Sequence, residues 1–297
     1  MIMDKRLTQK IKSLVLDMGA ELVGVASVSR FEHAPEETKP THYMSDAANV
    51  ISIGIQIANG VCDVWGNYDE PGKSAGPYLF YGYGLINLEL SRIAYSVAKT
   101  LEKMKYKSLT FPPTWAVAQY RFPERVVDGV FLADFSHRHA AVAAGLGELG
   151  WHGLCITPKF GTRVRFNSII TDAPLTADSM YKGPKLCQPE KCKRKCAQTC
   201  PTKAISTESV RCPIGGRVFE YSKVDKVRCL YATHGYVRGS GSRTDVEIPP
   251  GPGNVLHYYT EAKPQRHPVD QTFFDESFGI ITGDFCGRCL RDCPAPM

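Results

Sequence analysis

Cys187-Gln-Pro-Glu-Lys-Cys192-Lys-Arg-Lys-Cys196-Ala-Gln-Thr-Cys200-Pro201 decides the reading of this chain, and Cys286-Gly-Arg-Cys289-Leu-Arg-Asp-Cys293-Pro294 answers it near the C-terminus. Each run closes on Cys-Pro after a three-residue gap. That is the pattern of a two-cluster iron–sulfur module, in which the last cysteine of each run crosses over to the other cluster. Two [4Fe–4S] clusters take eight thiolates, and the two runs supply seven. Cys229, in Arg228-Cys229-Leu230-Tyr231, is the first candidate for the eighth, with Cys212 as its rival. The crossover pattern then assigns Cys187, Cys192, Cys196 and Cys293 to one cluster, and Cys200, Cys229, Cys286 and Cys289 to the other.

Zinc is the competing reading. Zinc sites favour paired Cys-x2-Cys knuckles, and only Cys286–Cys289 has that spacing. The first run has gaps of four, three and three residues, wider than the usual bacterial two, two and three. Cys62 and Cys155 lack metal-like neighbours and read as buried free thiols.

Length and composition bound the rest. The chain has 297 residues, 43% of them hydrophobic, which suits a folded protein with one or two domains. No apolar run is long enough to span a membrane. The N-terminal Met1-Ile-Met-Asp-Lys-Arg-Leu7 shows no apolar signal region, so the expectation is a cytoplasmic protein. In a reducing compartment eleven cysteines read as metal ligands rather than disulfides. The formal charge is +6. Two oxidised clusters would bring about −4, leaving about +2. Lys191, Lys193, Arg194 and Lys195 therefore read mainly as local compensation, and secondarily as a docking face for an acidic electron donor. No basic stripe extends beyond them, which disfavours nucleic acid.

Along the first 182 residues, helical and extended patterns alternate, which argues for an α/β (α+β) domain. Helices are expected at Leu7–Met18, Leu85–Met104 and Ala140–Ala144. Strands are expected at Leu22–Ala26, Val50–Ile57, Lys107–Phe111 and Val126–Ala133. Leu154–Thr157 and Val164–Thr171 read as a hairpin turned at Pro158-Lys-Phe-Gly161. Residues 58–80 read as loop. After Lys182-Gly-Pro184 the composition shifts to cysteine, lysine and proline, which places a boundary between residues 1–182 and 183–297. A long loop is expected at about 236–270.

Beyond the cysteines, Ala143-Ala-Gly-Leu-Gly-Glu-Leu-Gly150 is followed by His152-Gly-Leu-Cys-Ile-Thr-Pro-Lys-Phe-Gly161. Then come Arg163 to Arg165 and Ile169-Ile-Thr-Asp-Ala-Pro-Leu175. In this order the motifs resemble the cobalamin-dependent iron–sulfur reductases, the group of the epoxyqueuosine reductases and reductive dehalogenases. The resemblance is dense from about 130 to 205 and resumes at Cys229 and at 286–294. It implies a nitroreductase-like corrinoid-binding domain followed by a two-cluster ferredoxin-like domain. The implied cofactors are two [4Fe–4S] clusters and a base-off cobalamin. It also implies electrons passing from a ferredoxin- or flavodoxin-type donor through the clusters to cobalt and on to a small organic substrate. Reductive dehalogenation or a related reductive cleavage is the implied chemistry.

Gly147, Gly150, Trp151, His152, Gly153, Leu154 and Gly161 are the implied corrinoid contacts, bare glycine backbone suiting close approach to a flat macrocycle. The implied proton donor is Asp134, with His137, His139 and Tyr120 as rivals. An electron-transfer or corrinoid-reducing partner protein is the alternative reading. A tRNA epoxyqueuosine reductase comes third, because the helical-repeat extension of that branch is not seen after Cys293. Oligomeric state and substrate stay open.

Overall fold

The computed structural model describes residues 3–64, 76–114, 134–240, 244–265 and 286–295. The expected strand at Val126–Ala133 and the candidate Tyr120 lie outside these residues.

Helix α1 (Lys5–Asp17) begins where Asp4 caps it, its carboxylate accepting from Leu7 N–H at 2.9 Å. Strand β1 (Leu22–Ser27) follows, then β2 (Asn49–Gln56). Residues 58–80 are not all loop. A helix forms at Asn59–Val64, and a π-helical segment at Tyr78–Gly84 runs into α2 (Leu85–Lys103). In α2, Leu90, Ile93, Ala94, Val97 and Leu101 are buried at helical spacing. Strand β3 (Ser108–Thr110), helix α3 (His137–Ala143) and the two-residue strands β4 (Glu148–Leu149) and β5 (Cys155–Ile156) come next. Strand β6 (Val164–Thr171) completes the main sheet.

That sheet has the order β1-β2-β6-β3 and every pairing in it is antiparallel. The fold is therefore mixed α and β with an antiparallel sheet, although helices and strands alternate in the sequence. Strand alternation sends residues to two cores. Val25, Ile51, Ile53 and Ile169 pack with Ile11 and Val15 of α1 and with the buried face of α2. Ala26, Val50, Phe166 and Ile170 pack with Ala140 to Ala144. The sheet is thus covered on both sides, which explains why β2 and β6 are buried along most of their length.

The expected hairpin of 154–157 with 164–171 forms only as a turn. Thr157 and Gly161 bridge across it, but β5 pairs with β4, while β6 is buried between β2 and β3. Gly145, at φ +81°, ends the turn after α3. A Cβ there would stand 2.2 Å from the Ser179 carbonyl oxygen.

The second half contains an unexpected hairpin, β7 (Ile205–Ile214) and β8 (Arg217–Val224). Gly215 and Gly216 turn it at φ +55° and +76°, the left-handed pair a tight hairpin needs. Ile214 and Phe219 enter the same core as Ala140 to Ala144. Leu290, from the last cysteine run, enters the core of α1 and α2. Helix α4 (Lys226–Thr233) then packs Tyr231 against Tyr236, Tyr258, Val246 and Val255. The described part of the 236–270 segment is therefore packed on its own aromatic core rather than open loop. No helix among the described residues is long and apolar enough to cross a membrane.

Candidate redox centre

The cysteines come together through backbone that ordinary helices do not use. Lys193 and Arg194, between Cys192 and Cys196, have φ of +52° and +50°. For residues with a Cβ this conformation costs about 1–2 kcal/mol each, and such outliers mark functional segments. Two further contacts hold the knuckle. Arg194 donates to Glu190 Oε1 at 2.5 Å, and its guanidinium lies 4.7 Å over the Trp151 ring.

The thiols of the two cysteine runs lie close enough to influence one another, and Cys196 is near members of both expected groups. Burial pushes Cys196 up to about 12, and thiols Cys293, Cys187 and Cys192 push it further. Burial likewise raises Cys293 to about 11, while the Ala295 N–H opposes and Cys187 and Cys192 add. Cys289 is raised by burial first, then by Cys286, Cys229, Cys200 and Cys196. Cys187, Cys192 and Cys293 thus lie near Cys196, and Cys286, Cys229, Cys200 and Cys196 lie near Cys289. Cys212 is elsewhere. It lies in β7 opposite Phe219, not in a turn, and the charge near it is Arg138. Among the described residues no three His, Cys, Asp or Glu side chains are close enough to share a single ion.

Backbone donors already point at sulfur. Trp151 N–H donates to Cys187 Sγ at 3.2 Å and Ala204 N–H to Cys200 Sγ at 3.2 Å. Such bonds favour the thiolate and tune a bound cluster. Trp151, Cys196 and Ile205 form one packed unit with Cys187, Cys200 and Cys289, so the two groups of thiols sit side by side. The chemistry and grouping of this donor set fit two iron–sulfur clusters.

The strip from Gly147 to Gly161 borders this centre. A Cβ on Gly147 would stand 1.9 Å from the Ile156 carbonyl oxygen, and one on Gly150 would stand 2.5 Å from the His152 ring. At both positions the bare backbone is therefore filled by this chain's own packing. Gly153 and Gly161 take φ of +75° and +55°, which accounts for glycine there. Leu154 N–H donates to His152 Nδ1 at 3.0 Å, so the proton of the neutral ring sits on Nε2. Burial, then Arg138, lowers His152 to about 4, which keeps the ring neutral. Among the described residues His152 Nε2 and Trp151 Nε1 are buried with no hydrogen-bond partner. Two buried donors on consecutive residues suit a ligand rich in acceptors, such as the amides of a corrinoid.

The candidate acids differ. His137 is braced at both nitrogens, 2.9 Å from the Pro112 carbonyl oxygen and 3.0 Å from Ser168 Oγ. Burial lowers it to about 4. It ties α3 to β6 and the segment after β3, a bracing role. His139 is bonded to Ser136 Oγ at 2.5 Å and is lowered to about 3, first by burial and then by Arg138 and Lys226. Asp134 precedes α3, and its backbone carbonyl accepts from Tyr43 O–H at 2.5 Å. The N-cap of α3 is Ser136, not Asp134. Sequence reasoning passed over Arg138, whose signal was a lone cation between two histidines just before the glycine strip.

No family model matches the chain. Over 82 residues it is 43% identical to the tetrachloroethene reductive dehalogenase of Sulfurospirillum multivorans, a match covering 27% of this chain and 14% of that protein. A match of 49% over 70 residues joins it to the enzyme of that name in Dehalobacter restrictus, covering 23% of this chain and 12% of the other. The epoxyqueuosine reductase of Vibrio cholerae is 23% identical over 249 residues, 74% of this chain and 60% of the relative. Among solved structures, a catabolic reductive dehalogenase bound to 3-bromo-4-hydroxybenzoic acid aligns with a TM-score of 0.55 at 20% identity. That alignment covers 77% of this chain and 29% of the dehalogenase. An epoxyqueuosine reductase bound to a modified tRNA stem loop aligns at 0.52 and 15%, covering 96% and 79%. The chain is thus similar both to reductive dehalogenases, over a short stretch, and to an epoxyqueuosine reductase, over most of its length. It spans only a small part, 14% at most, of the curated dehalogenases it matches.

Proposed function

We propose that the chain is an iron–sulfur and corrinoid-dependent reductase of a small organic molecule. The observation that carries this reading is the gathering of thiols from two distant cysteine runs beside Trp151, with Cys196 near Cys187, Cys192 and Cys293, and Cys289 near Cys200, Cys229 and Cys286. Cys187, Cys192, Cys196 and Cys293 would hold one cluster, and Cys200, Cys229, Cys286 and Cys289 the other. His152, with Trp151, Gly153 and Leu154, would border the corrinoid. Bound there, the clusters supply single electrons and the corrinoid supplies a low-potential metal that reduces electrophilic carbon. The chain's own work is to hold, shield and protonate. The Trp151 ring, 7% exposed, keeps water from Cys187 and Cys196. Neutral His152 offers one fixed donor, and Asp134, at the entrance to α3, is the proposed proton source. An acidic ferredoxin- or flavodoxin-type protein is the proposed donor, with Lys191, Lys193 and Lys195 exposed for it.

A second reading, reduction of an epoxyqueuosine base in tRNA, draws on the longer alignments with that branch. One assay separates the two. The reconstituted protein, reduced by methyl viologen, is offered 3-bromo-4-hydroxybenzoate or an epoxyqueuosine-bearing stem loop. Bromide release supports the first reading. Queuosine formation without bromide release replaces it with the second. Neither product overturns both.

A further inference from the structure

Two arginines, Arg163 and Arg165, flank the start of β6, and the fold treats them differently. Arg163 is buried and matched: its guanidinium donates to Asn59 Oδ1 at 3.0 Å and to the Asp63 carboxylate at 2.7 Å. Arg165 is half-buried, and no carboxylate among the described residues pairs with it. Its Nε–H donates to Asn87 Oδ1 at 2.7 Å, and its guanidinium lies 4.0 Å over the Tyr83 ring. Among the described residues no hydrogen bond uses the N–H groups of its Nη1 and Nη2.

Both partners come from one helical stretch. Tyr83 ends the π-helical segment and Asn87 lies four residues on, in the first turn of α2, so the two stand one above the other. Tyr83 Oη is 2.5 Å from Thr114 Oγ1, a contact that fixes the ring. Asn167 Nδ2 donates to the Leu90 carbonyl at 3.4 Å and ties α2 to β6 beside them. Asn87 is 7% exposed. Arg165 Nε can only donate, so the amide oxygen of Asn87 must face it, which leaves the amide nitrogen to donate elsewhere. That nitrogen is buried with no hydrogen-bond partner among the described residues. The amide is one planar group, so its nitrogen stands beside the same guanidinium. A charge without a counter-charge and a buried donor without an acceptor are both costly to keep. The Tyr83 ring closes one face of the guanidinium, so its free donors are offered edge-on, in its plane. Donors in that arrangement suit a planar acceptor with two oxygens, a carboxylate.

We propose that Arg165 and Asn87, walled by Tyr83 where α2 crosses β6, form a receptor for the carboxylate of a small organic acid. The receptor stands on these residues alone and does not depend on which cofactors the chain holds.

The test is thermal unfolding of the full, cluster-loaded chain with rising sodium benzoate at constant ionic strength. Benzamide, which has the same ring and no charge, is run beside it. Benzoate raises the wild-type Tm in a saturable way, by about 3 °C, and benzamide does not. Arg165→Gln abolishes the rise. Asn87→Asp abolishes it too, because the new carboxylate pairs with Arg165 internally. The exposed control Lys99→Gln keeps the full rise. Three results overturn the proposal: no saturable rise in the wild type, an equal rise with benzamide, or an undiminished rise in Asn87→Asp. The last holds even where Arg165→Gln fails to fold. A rise with inorganic phosphate and none with benzoate also overturns it, since the site would then take a tetrahedral oxyanion.

Discussion

His152 shows how much one buried side chain constrains. Its ordinary pKa is near 6.5 and burial holds it at about 4 in the fold. Between those values the unfolded chain takes up a proton that the folded one refuses. Stability is therefore full above about pH 6.5 and falls as pH drops toward 4. From pH 7 to pH 5 this residue alone should remove about 2 kcal/mol. Urea unfolding of the wild type and of His152→Gln at both pH values checks it. The acid-dependent loss should shrink by about that amount in the variant. A loss of the same size in both proteins would mean that His152 titrates normally.

The eighth ligand is also decided at the residue scale. Cys229→Ser should lose one cluster, lowering bound iron from about eight to about four, while Cys212→Ser keeps both. Retention of all the iron in Cys229→Ser would move the ligand elsewhere. The cysteine grouping is an expectation the sequence offers because each Cys-Pro is expected to cross over to the other cluster. Arg138 was passed over, although it stands as a lone cation between His137 and His139 just before the glycine strip.

At the scale of elements, the glycine strip is where sequence and structure part. Bare backbone suggested room for a flat ligand. At Gly147 the space is filled by β5, since a Cβ would meet the Ile156 carbonyl at 1.9 Å. Gly147→Ala should therefore destabilise the fold by about 3 kcal/mol or more, through forced separation of β4 and β5. Gly216→Ala meets nothing within 4 Å but must hold φ +76°. It should cost only about 1–2 kcal/mol. Denaturant titration of the two variants gives the order, and equal costs would contradict the packing argument.

The long helices and the strands β1, β2 and β6 were readable because period 3.6 and apolar runs survive burial on either side. The β7–β8 hairpin was missed although Gly215-Gly216 marks its turn. Its strands are half exposed, and Pro213 and Cys212 within β7 interrupt the expected alternation. Pairing in β4 and β5 was hidden for another reason. Two-residue strands carry no periodicity to read.

For the whole molecule, the composition break near residue 183 marks the expected boundary between residues 1–182 and 183–297. The cores cross that line. Ile214 and Phe219 pack with Ala140 to Ala144, and Leu290 packs with α1 and α2. Thr162 O–H donates to the Leu290 carbonyl at 2.6 Å, in a buried position. A fragment of residues 1–182 should therefore expose an apolar face, bind a hydrophobic dye and lack a cooperative melt. A sharp two-state transition in that fragment would mean that the contacts across residue 183 are not needed for its folding. The central claim, eight thiols holding two clusters between two distant cysteine runs, is tested most directly by anaerobic reconstitution with iron and sulfide. Iron and sulfide analysis with EPR of the reduced protein should find about eight irons per chain and two interacting [4Fe–4S] signals. About four irons, or zinc retained in their place, would contradict it.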